Sequence, residues 1–168
     1  MIMLVTGGAG MIGSAFKCML SEALYPTRRE MDLLVPSWSF SDVGHIIHLA
    51  AKVGGVKANT DFMGDFYSEN MRINQNVLEA ANRDGVKKVI SLLSTCVYPD
   101  APYINYPLTE EQLHLGPPHH SNFGYAYAKR MVDVMSRAYR QQYGCNFITA
   151  IPNNLYGEND NFDLENSH

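Results

Sequence analysis

A continuous apolar run, Met1 to Thr6, ends in Gly7-Gly8-Ala9-Gly10-Met11-Ile12-Gly13, and an apolar stripe at helical spacing begins directly behind it. No other feature of the chain limits its possible folds so strongly. A short apolar run without alternation suits a strand buried on both faces of a parallel sheet. Met11, Ile12, Ala15, Phe16, Met19 and Leu20 then recur on one face of a helix. Glycines at 7, 10 and 13 give a GxxGxxG spacing. In it Gly7 can take the positive φ of a sharp turn, Gly10 lets the backbone approach a pyrophosphate, and Gly13 lets helix pack close to strand. Free amides and the dipole at the helix start favour an anion. An ordinary strand-to-helix turn is the plainer reading of three glycines, but strand, turn and helix together favour a dinucleotide site.

The same alternation continues. His45 to Ala51 and Lys88 to Ser94 read as strands, with a helix between them carrying Ile73, Val77, Leu78 and Ala81. A helix over about Asn122 to Tyr143, with Ala128, Val132, Met135 and Tyr139 on its stripe, leads to a last β-rich run, Asn146 to Ile151. The order predicts one α/β domain over residues 1–168: a doubly wound, mainly parallel, Rossmann-like sheet covered on both faces. Pro26 and Pro36 interrupt Ser21 to Gly44, which leaves little room there for a second helix. Asp100 to Ser121 holds Pro102, Pro107, Pro117 and Pro118 and is long enough for a functional loop.

Composition excludes several classes. Apolar residues make up 46% and charged residues 18%, unlike a disordered chain. No apolar run approaches the roughly 20 residues of a membrane span. The net charge is −4, and no basic run follows a phosphate backbone, so nucleic acid is not an expected partner. Cys18, Cys96 and Cys145 are odd in number and widely spaced, which indicates neither a disulfide framework nor a metal site. The N-terminus lacks a signal-peptide pattern, and the expected compartment is the cytoplasm.

Cofactor choice is a question of charge after the second strand. An acid there accepts hydrogen bonds from the free 2′-hydroxyl of NAD, whereas an arginine pairs with the extra phosphate of NADP. Arg28 and Arg29 precede Glu30 and Asp32, which favours NADP, with a solvated charge cluster as the alternative. Further on, Tyr125-Ala126-Tyr127-Ala128-Lys129 puts Tyr125 and Lys129 on one helix face. A neighbouring ammonium is expected to lower the tyrosine's pKa by roughly one to three units. Ser94 stands at the C-terminal end of a strand, where ligands of open α/β sheets bind. His45 and His48 fit a strand pattern, His114, His119 and His120 read as solvated loop residues, and Phe62, Phe66 and Tyr67 as packing.

Glycine turn, serine and YxxxK in this order resemble the extended short-chain dehydrogenase/reductases, in which Ser and Tyr polarise a carbonyl and Lys holds the nicotinamide ribose. That resemblance assigns Ser94, Tyr125 and Lys129 to those roles. Ala51-Lys52-Val53-Gly54-Gly55, Ser94-Thr95-Cys96-Val97-Tyr98-Pro99, Asn122 through Arg130, and Pro152-Asn153-Asn154-Leu155-Tyr156-Gly157 through Phe162 are similar to the GDP-L-fucose synthase branch. The branch epimerises GDP-4-keto-6-deoxy-D-mannose at C3 and C5 and reduces C4 with NADPH. Cys96 and His168 fall where it carries its epimerisation acid and base.

The resemblance further implies NADP contacts from Gly7, Gly8, Gly10, Met11, Ile12 and Gly13 in the turn. Arg28 is implied at the 2′-phosphate and Asp32 and Leu33 near adenine. Leu49, Ala50, Ala51, Leu92 and Lys129, and then Pro152, Asn154 and Leu155, follow along the cofactor. A homodimer is usual in this family. Ser14 to His45 is shorter than the family pattern. The sequence ends at His168, so the family's C-terminal substrate domain, which binds the GDP group, is expected to be missing. Another nucleotide-sugar epimerase or dehydratase, which Cys96 argues against, and an NADP(H)-binding module without turnover are the alternative readings.

Overall fold

The computed structural model describes residues 2–158 and 160. Among these, four parallel strands stand in sequence order: β1 (Ile2–Thr6), β2 (Val43–His48), β3 (Lys88–Leu92) and β4 (Phe147–Ala150). Helices α1 (Met11–Met19), α2 (Val56–Asp61), α3 (Met63–Arg83) and α4 (Phe123–Tyr143) connect them, with short 3-10 turns at Thr95–Val97, Glu110–His114 and His120–Asn122. The fold is the α/β arrangement expected from the alternation.

Leu24 pairs with Leu4 as a single parallel bridge, through Val5 N–H to Leu24 O at 2.9 Å and Leu24 N–H to Met3 O at 2.8 Å. Because β2 occupies the other flank of β1, the chain first moves outward to Leu24 and then returns past β1 to start β2. Right-handed crossovers in opposite directions put α1 on one face of the sheet and α3 and α4 on the other. The reversal lies between β1 and β2, and the crevice at their C-terminal ends is where such a sheet binds ligands.

Leu4, Ile46, Val89 and Phe147 stand in register across the sheet and are essentially inaccessible to solvent. They pack against Ile73, Val77, Leu78 and Ala81 of α3 and Val132 of α4, as the helical stripes require. Each such large side chain contributes roughly 1.5–3 kcal/mol by leaving water. The opposite face departs from expectation. In the next row Val5 is buried, but Ile47, Ile90 and Ile148 are only half-buried. Of α1 only Gly13, which is not on its apolar stripe, is buried; Met11, Ile12, Phe16 and Leu20 are half-buried and Met19 is 77% exposed. Residues 20–42 form no helix, so little besides α1 remains to cover this face.

That helix-free stretch is nonetheless held. Phe40 is buried beside Trp38 at 4.7 Å between ring centroids, and Trp38 Nε1 donates to Asp32 O at 3.0 Å. Asp84, at the end of α3, accepts from Phe40 N–H at 2.6 Å and from the Ser39 hydroxyl at 3.0 Å. The Pro-rich loop is anchored too. His114 is not simply solvated: its Nε2 lies 3.0 Å from Asp133 Oδ2, and Asp133 also takes Arg137 Nε at 2.8 Å and the Thr149 hydroxyl at 3.2 Å. Loop, α4 and β4 thus meet at one buried carboxylate. His119 and His120 are exposed as expected, whereas of the three aromatics read as packing only Phe66 is buried.

Candidate active site

Gly7 carries a φ of +75°, and a Cβ there would stand 2.7 Å from Ala50 N. A Cβ on Gly13 would stand 2.4 Å from Gly7 O and 2.5 Å from Gly8 Cα. Both positions therefore need glycine for the fold itself. Gly10 is different, since the nearest protein atom to its Cβ would be Gly7 O at 3.4 Å. Gly10 lines a cavity of about 560 Å³, so a side chain there would intrude on whatever the cavity holds. Packing within the turn does not by itself require glycine at that position.

The cavity runs from the glycine turn past Thr27, Arg28, Asp32 and Leu33 to Ala50, Ala51 and Lys52. Its size suits a cofactor. The charge cluster after the Leu24 bridge is sorted by hydrogen bonding. Glu30 accepts from Thr27 N–H at 2.8 Å and from its hydroxyl at 2.9 Å, and these bonds hold the carboxyl below its usual range. Arg28 lines the cavity with its side chain 73% exposed and only a 3.5 Å approach to Asp32. A cation is thus presented at the cavity wall, with Glu30 bonded to Thr27 and Asp32 the acid that approaches Arg28.

Below the cavity a polar chain crosses the core. Thr6 Oγ1 is 2.7 Å from His48 Nδ1, His48 Nε2 is 3.1 Å from Asn74 Oδ1, and Asn74 Nδ2 donates to Ala128 O at 3.3 Å. Burial, helped by the charge on Lys129, pushes His48 down to about 3, so the imidazole is neutral. In the sequence Lys52 stands within Ala51-Lys52-Val53-Gly54-Gly55, with no role of its own assigned to it. Its N–H donates to Asn70 Oδ1 at 2.9 Å, and its Nζ meets Glu69 at 2.5 Å on the cavity wall. Asn70 and Asn74, polar residues four apart on a helix face otherwise made of Phe66, Ile73 and Val77, were the available signal.

Ser94 follows β3 and opens the Thr95–Val97 turn, whose middle residue is Cys96. The Ser94 side chain acts on the thiol in the direction that favours the thiolate. From α4, Lys129 Nζ donates to Leu92 O at 2.9 Å and lies 6.0 Å from the centre of the Tyr125 ring. Ser94, Cys96, Tyr125 and Lys129 therefore converge at the C-terminal end of β3. Their electrostatics correct one expectation. Burial raises Tyr125 above its usual 10.0, and Cys96 adds to the effect, so the neighbouring ammonium does not lower it. Burial likewise pushes the Cys96 thiol up, away from neutrality, and brings Lys129 down to about 8, which leaves it charged at neutral pH.

Gly7, Gly8, Gly10, Arg28, Asp32, Leu33, Ala50 and Ala51 line the cavity, whereas Met11, Ile12, Gly13 and Leu49 flank it from α1 and the end of β2. Leu92 and Lys129 lie with the Tyr125 cluster. Pro152, Asn154 and Leu155 follow β4, joined to the Cys96 turn by Thr95 Oγ1 and Asn154 Oδ1 at 3.4 Å. His168 lies outside the described residues.

The family model for the NAD dependent epimerase/dehydratase family matches residues 3–168. The chain belongs to this family. Within it, the chain is 42% identical to GDP-L-fucose synthase from Dictyostelium discoideum, over 98% of this chain and 55% of that protein. It is 40% identical to a probable GDP-L-fucose synthase from Drosophila melanogaster, over 98% of this chain and 54% of the relative. A solved GDP-L-fucose synthetase from Naegleria fowleri bound to NADP superposes with a TM-score of 0.89 at 41% identity, covering 99% of this chain and 58% of that one. The chain spans about half the length of the curated relatives it matches.

Proposed function

We propose that these residues form the NADPH-binding part of a GDP-L-fucose synthase, a bifunctional enzyme that epimerises GDP-4-keto-6-deoxy-D-mannose at C3 and C5 and reduces its C4 ketone. One observation carries the cofactor: Arg28 stands on the wall of a cavity whose glycine turn leaves Gly10 open to a ligand. The residues present fit NADP. The turn and the start of α1 offer amides to a pyrophosphate, Arg28 offers a fork to a 2′-phosphate, and Lys129 retains donors beyond Leu92 O for a ribose.

When bound, NADPH supplies the hydride for C4. The chain's own groups do the rest. C3 and C5 both flank the C4 ketone, so removal of either proton gives an enolate with charge on the C4 oxygen. Ser94 and Tyr125 hold that oxygen, and Tyr125, raised by burial and protonated, gives it a proton in the reduction. Cys96, as thiolate, takes the carbon-bound proton on one face. His168 returns one from the other. Lys129, charged below about 8, steadies the developing negative charge beside Tyr125.

The proposed assembly is a homodimer, for which the apolar groove between α3 and α4, about 310 Å³ and lined by Met71, Met131, Val134 and Met135, offers a surface. No helix among the described residues is long and apolar enough to cross a membrane. Cys18, Cys96 and Cys145 are free thiols, which fits a reducing compartment, the cytoplasm.

The test uses a polypeptide of the relatives' full length, incubated with GDP-4-keto-6-deoxymannose and NADPH in deuterated water. Incorporation at C3 and C5 together with formation of GDP-L-fucose is expected. Tyr125→Phe should lose reduction yet keep NADPH binding, and Cys96→Ser should suppress the exchange. Exchange at the wild-type rate in Cys96→Ser would remove Cys96 from the mechanism.

A further inference from the structure

Arg130, the residue after Lys129, is buried to 3% exposure, and its guanidinium is divided between two separate segments. Nε donates to Val97 O at 3.0 Å, Nη2 donates to the same oxygen, and Nη1 donates to Gly116 O at 2.7 Å. Val97 closes the three-residue turn that carries Cys96, and Gly116 belongs to the Pro-rich loop. The Tyr127 ring covers the guanidinium at 5.1 Å. All of these partners are neutral. Among the described residues no carboxylate pairs with Arg130 or with Lys129. The titratable groups that act on the two cations are Cys96, on both, and Tyr127, on Arg130 alone.

Two buried cations without a counter-ion need an anion nearby, because an unpaired charge in a low-dielectric site is strongly disfavoured. The thiol of Cys96 is the group placed to become one. We infer that Arg130 is a positioning residue for Cys96: it fixes the turn that presents the thiol and, with Lys129, supplies the positive field in which the thiolate forms. The inference rests on the reading of Cys96 as a proton-transfer group.

The arrangement also moderates the effect of burial on the cysteine, although the thiol stays above its usual range. Burial alone raises the thiol, while Ser94, Lys129 and Arg130 each act in the opposite direction. From α4 the facing groups are Lys129, Arg130 and the protonated Tyr125, and from its own segment Ser94. His48 of β2 stays neutral behind Lys129 and brings no competing charge. Removing the Arg130 charge therefore leaves burial less opposed. A lysine at 130 keeps the charge but has one ammonium for two carbonyls on separate segments.

The experiment measures alkylation of Cys96 by iodoacetamide against pH, with the Cys96 peptide resolved by mass spectrometry from those of Cys18 and Cys145. Wild type, Arg130→Gln and Arg130→Lys are compared, with circular dichroism to establish folding. Arg130→Gln is expected to move the midpoint upward and to slow alkylation at neutral pH by about two- to tenfold, since removing a nearby opposite charge disfavours the thiolate. Arg130→Lys is expected to restore the wild-type midpoint. A folded Arg130→Gln with an unmoved profile overturns the inference. Should that variant not fold, Arg130→Met, which also removes the charge, takes its place under the same outcomes: a raised midpoint supports the inference and an unmoved one overturns it. The alkylation profile needs no substrate. Failure of Cys96→Ser to suppress deuterium exchange would count against the proposed function, not against the hold of Arg130 on the thiol.

Discussion

Arg28 and His48 carry the two sharpest consequences at the scale of single residues. Arg28→Ala should weaken NADPH binding by roughly 1.5–3 kcal/mol, about ten- to a hundredfold, because a charge-assisted pair is lost. NADH binding should change little, since it has no phosphate to lose. Fluorescence titration of both cofactors checks this, and equal losses would show that Arg28 does not read the phosphate. His48 links the fold to pH. Its folded pKa of about 3 lies below the ordinary 6.5, so as pH falls below 6.5 the unfolded chain binds the proton first. Stability is present in full above 6.5 and declines by up to about 1.4 kcal/mol per pH unit as pH drops toward the folded value. Urea unfolding at pH 7, 6 and 5 should show the decline in the wild type. His48→Asn, which cannot take the proton, should flatten it.

At the scale of elements, the strand-turn-helix unit separates folding from binding within one motif. Gly13→Ala pushes a methyl to 2.4 Å from Gly7 O, so α1 must move away from β1. A loss of roughly 1–3 kcal/mol is expected from such overpacking, read as a lower melting temperature. Gly10→Ala meets protein only at 3.4 Å and should melt close to the wild type. Its methyl enters the cavity, so NADPH affinity should fall instead. A Gly10→Ala protein that binds NADPH normally would mean that the pyrophosphate lies elsewhere. The helix-free stretch 20–42 shows the same separation from another side, because Leu24 and Phe40 hold it in place by one strand bridge and one buried ring.

For the whole molecule the uneven covering of the sheet matters most. α3 and α4 seal the row Leu4, Ile46, Val89 and Phe147, while Ile47, Ile90 and Ile148 on the other face stay half-buried and Met19 stands out from α1. A polypeptide of these 168 residues should bind NADPH, since the cavity is built from them. Its turnover should be poor beside one of the relatives' full length. In the proposed reaction, binding energy from the remote GDP group would position the sugar, and lost positioning can remove up to roughly 7–11 kcal/mol of barrier lowering. Titration with NADPH and a steady-state assay on one preparation decide the matter, and comparable turnover would sink the idea. The half-covered face should also make that polypeptide self-associate with rising concentration, measurable by sedimentation.

Local features of the chain determined much of this. Strand, glycine turn and helix were legible because each depends on neighbours along the sequence: an apolar run, residues that permit φ above zero, a repeat near 3.6. The YxxxK pair and Ser94 were legible as candidates for the same reason, as one helix face and one strand end. Only the tertiary structure decided what surrounds them. Periodicity names a stripe without saying what covers it, and the stripe of α1 is at most half-buried. A spacing of four brings Lys129 beside Tyr125, but burial by distant segments, not the ammonium, sets the direction of the Tyr125 shift. Arg130 reads in sequence as one more charge on a helix. Its role depends on two carbonyls, 33 and 14 residues away, that folding alone brings to its guanidinium.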